Sequence, residues 1–179
     1  MNFFELTLKR QSNRKYHEQP IEEDKIRQCL NAARMSPSAN NAQNWHFIVV
    51  NDPTLKQQVA EQTELLGANK FVQQAAVIVA VVAEKPLFIN KIGNLIQNKD
   101  YVQIDIGMAV EHLCLQAAEL GLGSCIIGWF KEKAIKKLLQ IPTKKRLLLL
   151  VTLGYPADKQ RDKNRKPFEQ VVSFNRYEG

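Results

Sequence analysis

This chain of 179 residues predicts an α+β fold, with one mixed β-sheet covered by helices on both faces. Three observations carry that expectation. The runs Trp45–Val50, Ala75–Ala83, Ser124–Ile127 and Leu147–Leu153 are nearly unbroken in apolar residues, the composition of strands buried on both faces. Segments of helical character separate them. The stretch from Tyr101 to Leu120 has only seven residues that are not apolar, and four of these (Asp105, His112, Gln116 and Glu119) are spaced by 7, 4 and 3 on one helical stripe. The rest of that cylinder must be covered, by its own domain or by a partner subunit.

In chain order, Asn2–Lys9 reads as a short amphipathic helix with Phe3, Phe4, Leu6 and Leu8 inward. RQSNRKY follows, from Arg10 to Tyr16. If it is extended, Arg10, Ser12, Arg14 and Tyr16 share one face. Two guanidinium forks flanking a hydroxyl suit a phosphate or another oxygen-rich anion, the alternative being plain basic surface. Pro20 and Ile21 lead into a helix over Glu22–Met35, with acids in its first turn and a stop at Ser36-Pro37. The loop from Ser36 to Asn44 is either a turn-rich connection or a polar rim that grips a ligand.

Asp52-Pro53-Thr54 opens a helix over Leu55–Leu66. Glu84–Lys99 has the least pattern and is the candidate for a lid. Gly121 and Gly123 end the long helix, so GLGSCIIG is a helix stop before a strand and not a dinucleotide loop, which needs the opposite order. Glu132–Leu139 forms a helix stopped by Pro142, and Gly154-Tyr155-Pro156 ends the last long strand. A basic tail, Lys159–Pro167, precedes the apolar segment Phe168–Phe174. Neither a repeat nor a domain boundary is visible, and a single domain over 1–179 is expected.

Apolar content of 45% and charged content of 24% are ordinary for a globular protein. No run reaches membrane-spanning length and Met1–Arg10 lacks the pattern of a secretory signal, so a cytoplasmic protein is expected. Cys29, Cys114 and Cys125 are far apart and odd in number, which fits reduced core thiols. A net charge of +7 admits nucleic acid as a partner, but the lysines of 131–137 and 144–146 alternate with apolar residues in the manner of a solvated face. GxSxG, HExxH and paired cysteines are all missing, and His17, His46 and His112 are isolated and read as structural. An enzyme without such groups borrows its chemistry from an organic cofactor.

RQSNRKY, SPSANNAQNW, GLGSCIIGWF and LLLVTLGYP, followed by KNRKP, stand in the order and rough spacing of the nitroreductase family of flavin enzymes. The chain resembles that family over nearly its whole length. It departs from it at Asn44, where proline usually precedes the Trp, and at Tyr16, where Phe is common; it is also short for the family.

The resemblance implies FMN as cofactor and NADH or NADPH as hydride donor. It further implies a small nitroaromatic or quinone acceptor, ping-pong turnover and a homodimer with FMN at the interface. Arg10 and Ser12 then take the phosphate and ribityl end, joined by Gln11, while Lys163 and Arg165 reach the phosphate from the far end of the chain. Arg14 lies beside the N1 and O2 edge of the flavin, where a fixed cation stabilises negative charge. Pro37, Ser38 and Asn41 contribute across the dimer interface, Ile127 and Gly128 bring a backbone N–H to N5, and Asn69 reaches the pyrimidine edge. No side chain is catalytic, and neither nucleic acid nor membrane is a partner. Other readings are a flavin enzyme of the same fold with a different reaction, such as reductive dehalogenation or flavin destruction, and a basic nucleic-acid-binding module.

Overall fold

The computed structural model describes residues 1–84 and 99–179; the candidate lid falls almost wholly outside them. Helix α1 (Phe3–Lys9) opens with a capping box, in which the Asn2 side chain accepts from Glu5 N–H and the Glu5 carboxylate accepts from Asn2 N–H, both at 2.9 Å. Helix α2 (Glu23–Arg34) buries Ile26, Cys29 and Ala33. Strand β1 (Trp45–Val50) leads to α3 (Pro53–Glu61), where Asp52 caps Leu55 N–H at 2.8 Å and proline fills the first helical position. Strand β2 (Val77–Ala83), the long helix α4 (Tyr101–Glu119), β3 (Gly123–Ile127), α5 (Glu132–Leu138) and β4 (Arg146–Gly154) complete the described elements. Gly121, at φ +77°, ends α4, and Leu122 N–H returns to Ala117 O at 2.8 Å.

Four strands form one sheet in the order β1-β2-β4-β3 among the described residues, and each neighbouring pair is antiparallel. The parallel contribution is an isolated bridge between Ser12 and Ser124 at the β3 edge. Alternation along β2 explains its unbroken apolar run. Val77, Val79 and Val81 join α2 and α4 in one core, while Ile78, Ala80 and Val82 join residues of α3 and α5 in the other. The expected α+β sheet covered on both faces is what the chain forms.

Three local expectations are corrected. Phe3, Phe4 and Leu8 do not point inward: α1 buries no residue, because it lies beside α4 away from the sheet and the chain covers neither phenyl ring. Helix α3 stops at Glu61, short of Leu66, where Leu66 and Gly67 take positive φ. Asp105 does not belong to a solvated stripe. It is 2% exposed and accepts Ala39 N–H through both carboxylate oxygens at 3.2 and 3.1 Å. The exposed face of α4 instead runs through Gln103, Ile104, Gly107 and Met108 to half-buried Glu111 and His112.

Residues 10–16 lie along the free edge of β3. Asn13 N–H donates to Ser124 O at 2.8 Å, and Tyr16 pairs with Pro156 just beyond β4. Gly123 and Gly154 are direct partners across the β3–β4 ladder, and together they form a bare platform for this segment. A Cβ on Gly123 would stand 2.8 Å from Asn13 Cγ, and one on Gly154 2.6 Å from Tyr16 Cδ1 and 2.9 Å from its Cγ. Gly154→Ala is therefore expected to destabilise the fold by about 1–3 kcal/mol through overpacking against the root of the Tyr16 ring. Urea unfolding checks this, and an unchanged midpoint would show that the ring shifts freely.

Candidate functional site

The sequence Arg10–Tyr16 is held extended by the sheet edge, and its side chains divide accordingly. Gln11 and Asn13 are buried, whereas Ser12 is half-buried and Arg14 exposed. The alternation breaks after Lys15: Tyr16 does not share the face of Arg10, Ser12 and Arg14. It is 6% exposed, its hydroxyl donating to Asn13 O at 2.9 Å and standing 2.8 Å from Thr152 Oγ1. Burial among apolar neighbours pushes its pKa upward and keeps the phenol neutral.

Opposite this segment lies the basic tail. Gln11 clamps it, donating from Nε2 to Lys159 O and accepting Arg161 N–H, both at 3.0 Å. Its amide is thus fully engaged with the tail backbone. Arg161 donates to Ser12 O at 2.5 Å, and Lys163 Nζ to Arg10 O. The two ends of the chain enclose a cavity of about 270 Å³ that brings together Arg10, Gln11, Ser12, Arg14, Lys163 and Arg165, with Arg161 and Asp162 beside them.

Five cations face one carboxylate in that lining. Arg10 Nε lies 3.4 Å from Glu111 Oε1 in an ion pair, yet it is buried and makes no hydrogen bond. Desolvation, reinforced by Arg10 and Arg165, pulls the Lys163 pKa down. Such a concentration of positive charge suits an oxygen-rich anion. Arg161 was not singled out from the sequence, although 161, 163 and 165 share one face of an extended tail by the period of two.

The other predicted residues lie elsewhere. Ser38 Oγ accepts Gln43 N–H at 3.0 Å, and Asn41 takes φ +53° with its carbonyl accepting from Gln43 Nε2 at 3.1 Å. With Pro37 they form a loop fastened to α4 through Ala39 and Asp105, outside the cation cavity. Asn69 donates from Nδ2 to Thr63 O at 3.3 Å and to Trp129 O at 3.2 Å, which fixes the chain just after β3. Ile127 is buried in the second core. Gly128 is exposed, and a Cβ there would meet only Leu149 Cδ2, at 4.0 Å. Ser124, beside the cavity segment, and open Gly128 stand at opposite ends of one strand, roughly 13 Å apart.

The model of the family described as "Nitroreductase family" matches residues 7–155. The chain belongs to the nitroreductase family. An FMN-dependent nitroreductase from Clostridium difficile has the same fold, with a TM-score of 0.82 at 27% identity, covering 98% of this chain and 100% of that one. An NADH dehydrogenase of Thermus thermophilus is 27% identical over 92% of each chain. An FMN reductase [NAD(P)H] of Bacillus subtilis is 28% identical over 89% of this chain and 68% of its own length.

Other candidate groups fall away in this nitroreductase-family structure. The three thiols are free and buried, burial pushing Cys29 up to about 12 and Cys114 to about 11, which keeps both protonated. No cluster of potential metal ligands exists among the described residues, and no described helix is long and apolar enough to cross a membrane. The basic run near α5 is partly spent internally: Lys136 donates to Thr143 O at 2.7 Å, Lys145 pairs with Glu84, and Arg146 Nε stands 3.4 Å from Glu132.

Proposed function

We propose that this protein is an FMN-dependent oxidoreductase that takes hydride from NADH or NADPH and passes electrons to a small nitroaromatic or quinone acceptor. The observation that carries the reading is the surplus of cations around one cavity, one strand's length from an open glycine backbone. The residues fit the cofactor: a buried guanidinium nitrogen without a hydrogen bond, and four further cations, suit a phosphate dianion. The names of its relatives, FMN-dependent nitroreductase and FMN reductase, support the same cofactor.

When bound, FMN supplies the ring atom that accepts hydride and gives it up again. This chain's residues bind and orient. Arg10, Lys163 and Arg165 hold the phosphate, Ser12 offers a hydroxyl beside it, and Gln11 keeps the two ends of the chain together. Arg14 sets a fixed positive charge near the ring edge, and Ile127–Gly128 offers main chain that no side chain screens. Asn69 steadies that main chain by its bond to Trp129 O. Pro37, Ser38 and Asn41 serve the site of the partner subunit. None of the three histidines lines the cation cavity.

Each charge-assisted bond to the phosphate contributes roughly 1.5–3 kcal/mol. The pair Arg10→Ala and Arg165→Ala together should then weaken FMN binding by about 10²–10⁴-fold and release flavin during purification. A folded double variant that stays fully yellow would sink the assignment.

The protein is a homodimer in this reading, because Ile104 and Met108 on α4 and Phe3 and Phe4 on α1 leave apolar surface uncovered by their own chain. Sedimentation at low micromolar concentration should give twice the chain mass. A monomer that retains FMN would refute both the interface and the shared site.

Donor and acceptor occupy one pocket in turn, which predicts ping-pong kinetics and parallel double-reciprocal plots. Intersecting plots would rule out the shared pocket.

A further inference from the structure

Asp158 has no role in the reading above, yet its carboxylate joins the two halves of the cation cavity. It sits on the strap after β4, three residues before Arg161 and five before Lys163. Oδ1 accepts from Asn13 Nδ2 at 2.6 Å, and Oδ2 accepts Arg14 N–H at 3.0 Å. Asn13 is committed in every direction. Its N–H donates to Ser124 O at 2.8 Å, its carbonyl accepts the Tyr16 hydroxyl at 2.9 Å, and its side chain rests on the bare backbone of Gly123. With Asn13 turned inward, its neighbours Ser12 and Arg14 are turned to the opposite face, into the cavity.

The charge of Asp158 works against this placement. A fixed anion beside Arg14 lowers the positive potential that a phosphate would feel. A carboxylate in that position must therefore act by geometry: two parallel acceptors, one for a side-chain amide and one for a backbone N–H, hold the segment carrying Ser12 and Arg14 in register with the strap carrying Arg161, Lys163 and Arg165. We infer that Asp158 is a positioning residue for the anion site, setting the spacing of its two basic halves through Asn13 and the Arg14 backbone. This rests on the FMN reading for the identity of the ligand, but not for the geometry.

The test is titration of stripped protein with FMN, followed by flavin fluorescence, and with inorganic phosphate, followed by calorimetry. Asp158→Ala removes both acceptors and should weaken each ligand by about 10- to 100-fold, the loss expected for charge-assisted bonds. Asp158→Asn keeps an acceptor for Arg14 N–H, can meet Asn13 once that amide turns, and sheds the opposing charge. It should recover most of the affinity. Tighter binding in both variants would mean that Asp158 acts only through its charge, and unchanged binding in folded Asp158→Ala would mean that it only stabilises the fold; either overturns the inference.

If Asp158→Ala does not fold, the exchange Asn13→Asp with Asp158→Asn decides. Asn13→Asp alone opposes two carboxylates and should weaken binding, and the double exchange should restore it. Failure to restore it overturns the positioning role. Wild-type protein that takes phosphate but not FMN would refute the flavin reading, while the same variants compared on phosphate would still judge Asp158.

Discussion

The contact of Asn13 and Tyr16 with the bare backbone of Gly123 and Gly154 is the constraint on which the candidate site depends. The two glycines face each other across the β3–β4 ladder, so the register of one strand pair leaves a flat place at the corner of the sheet. Residues from opposite ends of the chain meet there. Asn13 and Tyr16 lie on the platform, and the strap from Tyr155 to Arg161 closes over them through Ala157 N–H to Lys15 O and His17 N–H to Tyr155 O, both 2.9 Å. A side chain at either glycine would lift Ser12 and Arg14 from the sheet edge. The cavity is thus a consequence of backbone packing before it is one of charge.

Charge then sets what the cavity can hold. Bringing five cations together costs free energy through self-repulsion, which adds to desolvation, the larger cause, in depressing the pKa of Lys163. The chain offsets part of it with Glu111 beside Arg10 and by seating Lys163 and Arg161 on the carbonyls of Arg10 and Ser12. Carbonyl dipoles orient cations without neutralising them. The cavity therefore remains electropositive, and an oxygen-rich anion with several acceptors completes it better than a single carboxylate would.

Much of the fold was legible because burial on both faces of the sheet writes itself into continuous apolar runs. β2 is the plainest case: its odd residues face one core and its even residues the other, and none can be polar. Elements facing one core and an uncovered side were read less well. A helical period predicts that Phe3, Phe4 and Leu8 lie together but cannot say whether their own chain covers them. Asp105 fitted a polar stripe by spacing, but its buried carboxylate is taken up by a distant partner, Ala39 N–H. In the site, Arg10, Ser12 and Arg14 could be named from their residue types and spacing, and Lys163 and Arg165 from the resemblance to the family. Asp158 and Glu111 could not, since their importance comes from neighbours 144 or more positions away for the first and about a hundred for the second.

The position of the polar loop bears on the proposed dimer. Ala39 is fastened to Asp105 and Arg10 to Glu111, so both parts of the site are referred to one helix. Six residues of α-helix separate these anchors by about 9 Å along the axis and about 120° around it. Within one subunit α4 therefore stands between the loop and the cations. The exposed face of α4, from Gln103 to His112, has its midpoint between Gly107 and Met108, and Gly107 has nothing within 4 Å of a would-be Cβ. In the proposed dimer, a two-fold axis through that midpoint would pair the helices antiparallel and bring residue 105 of one level with residue 110 of the other. In the proposed homodimer the partner subunit's loop would then lie near the place where this subunit's Arg10 meets Glu111, which would let Ser38 and Asn41 share a ligand with the cations of the other subunit.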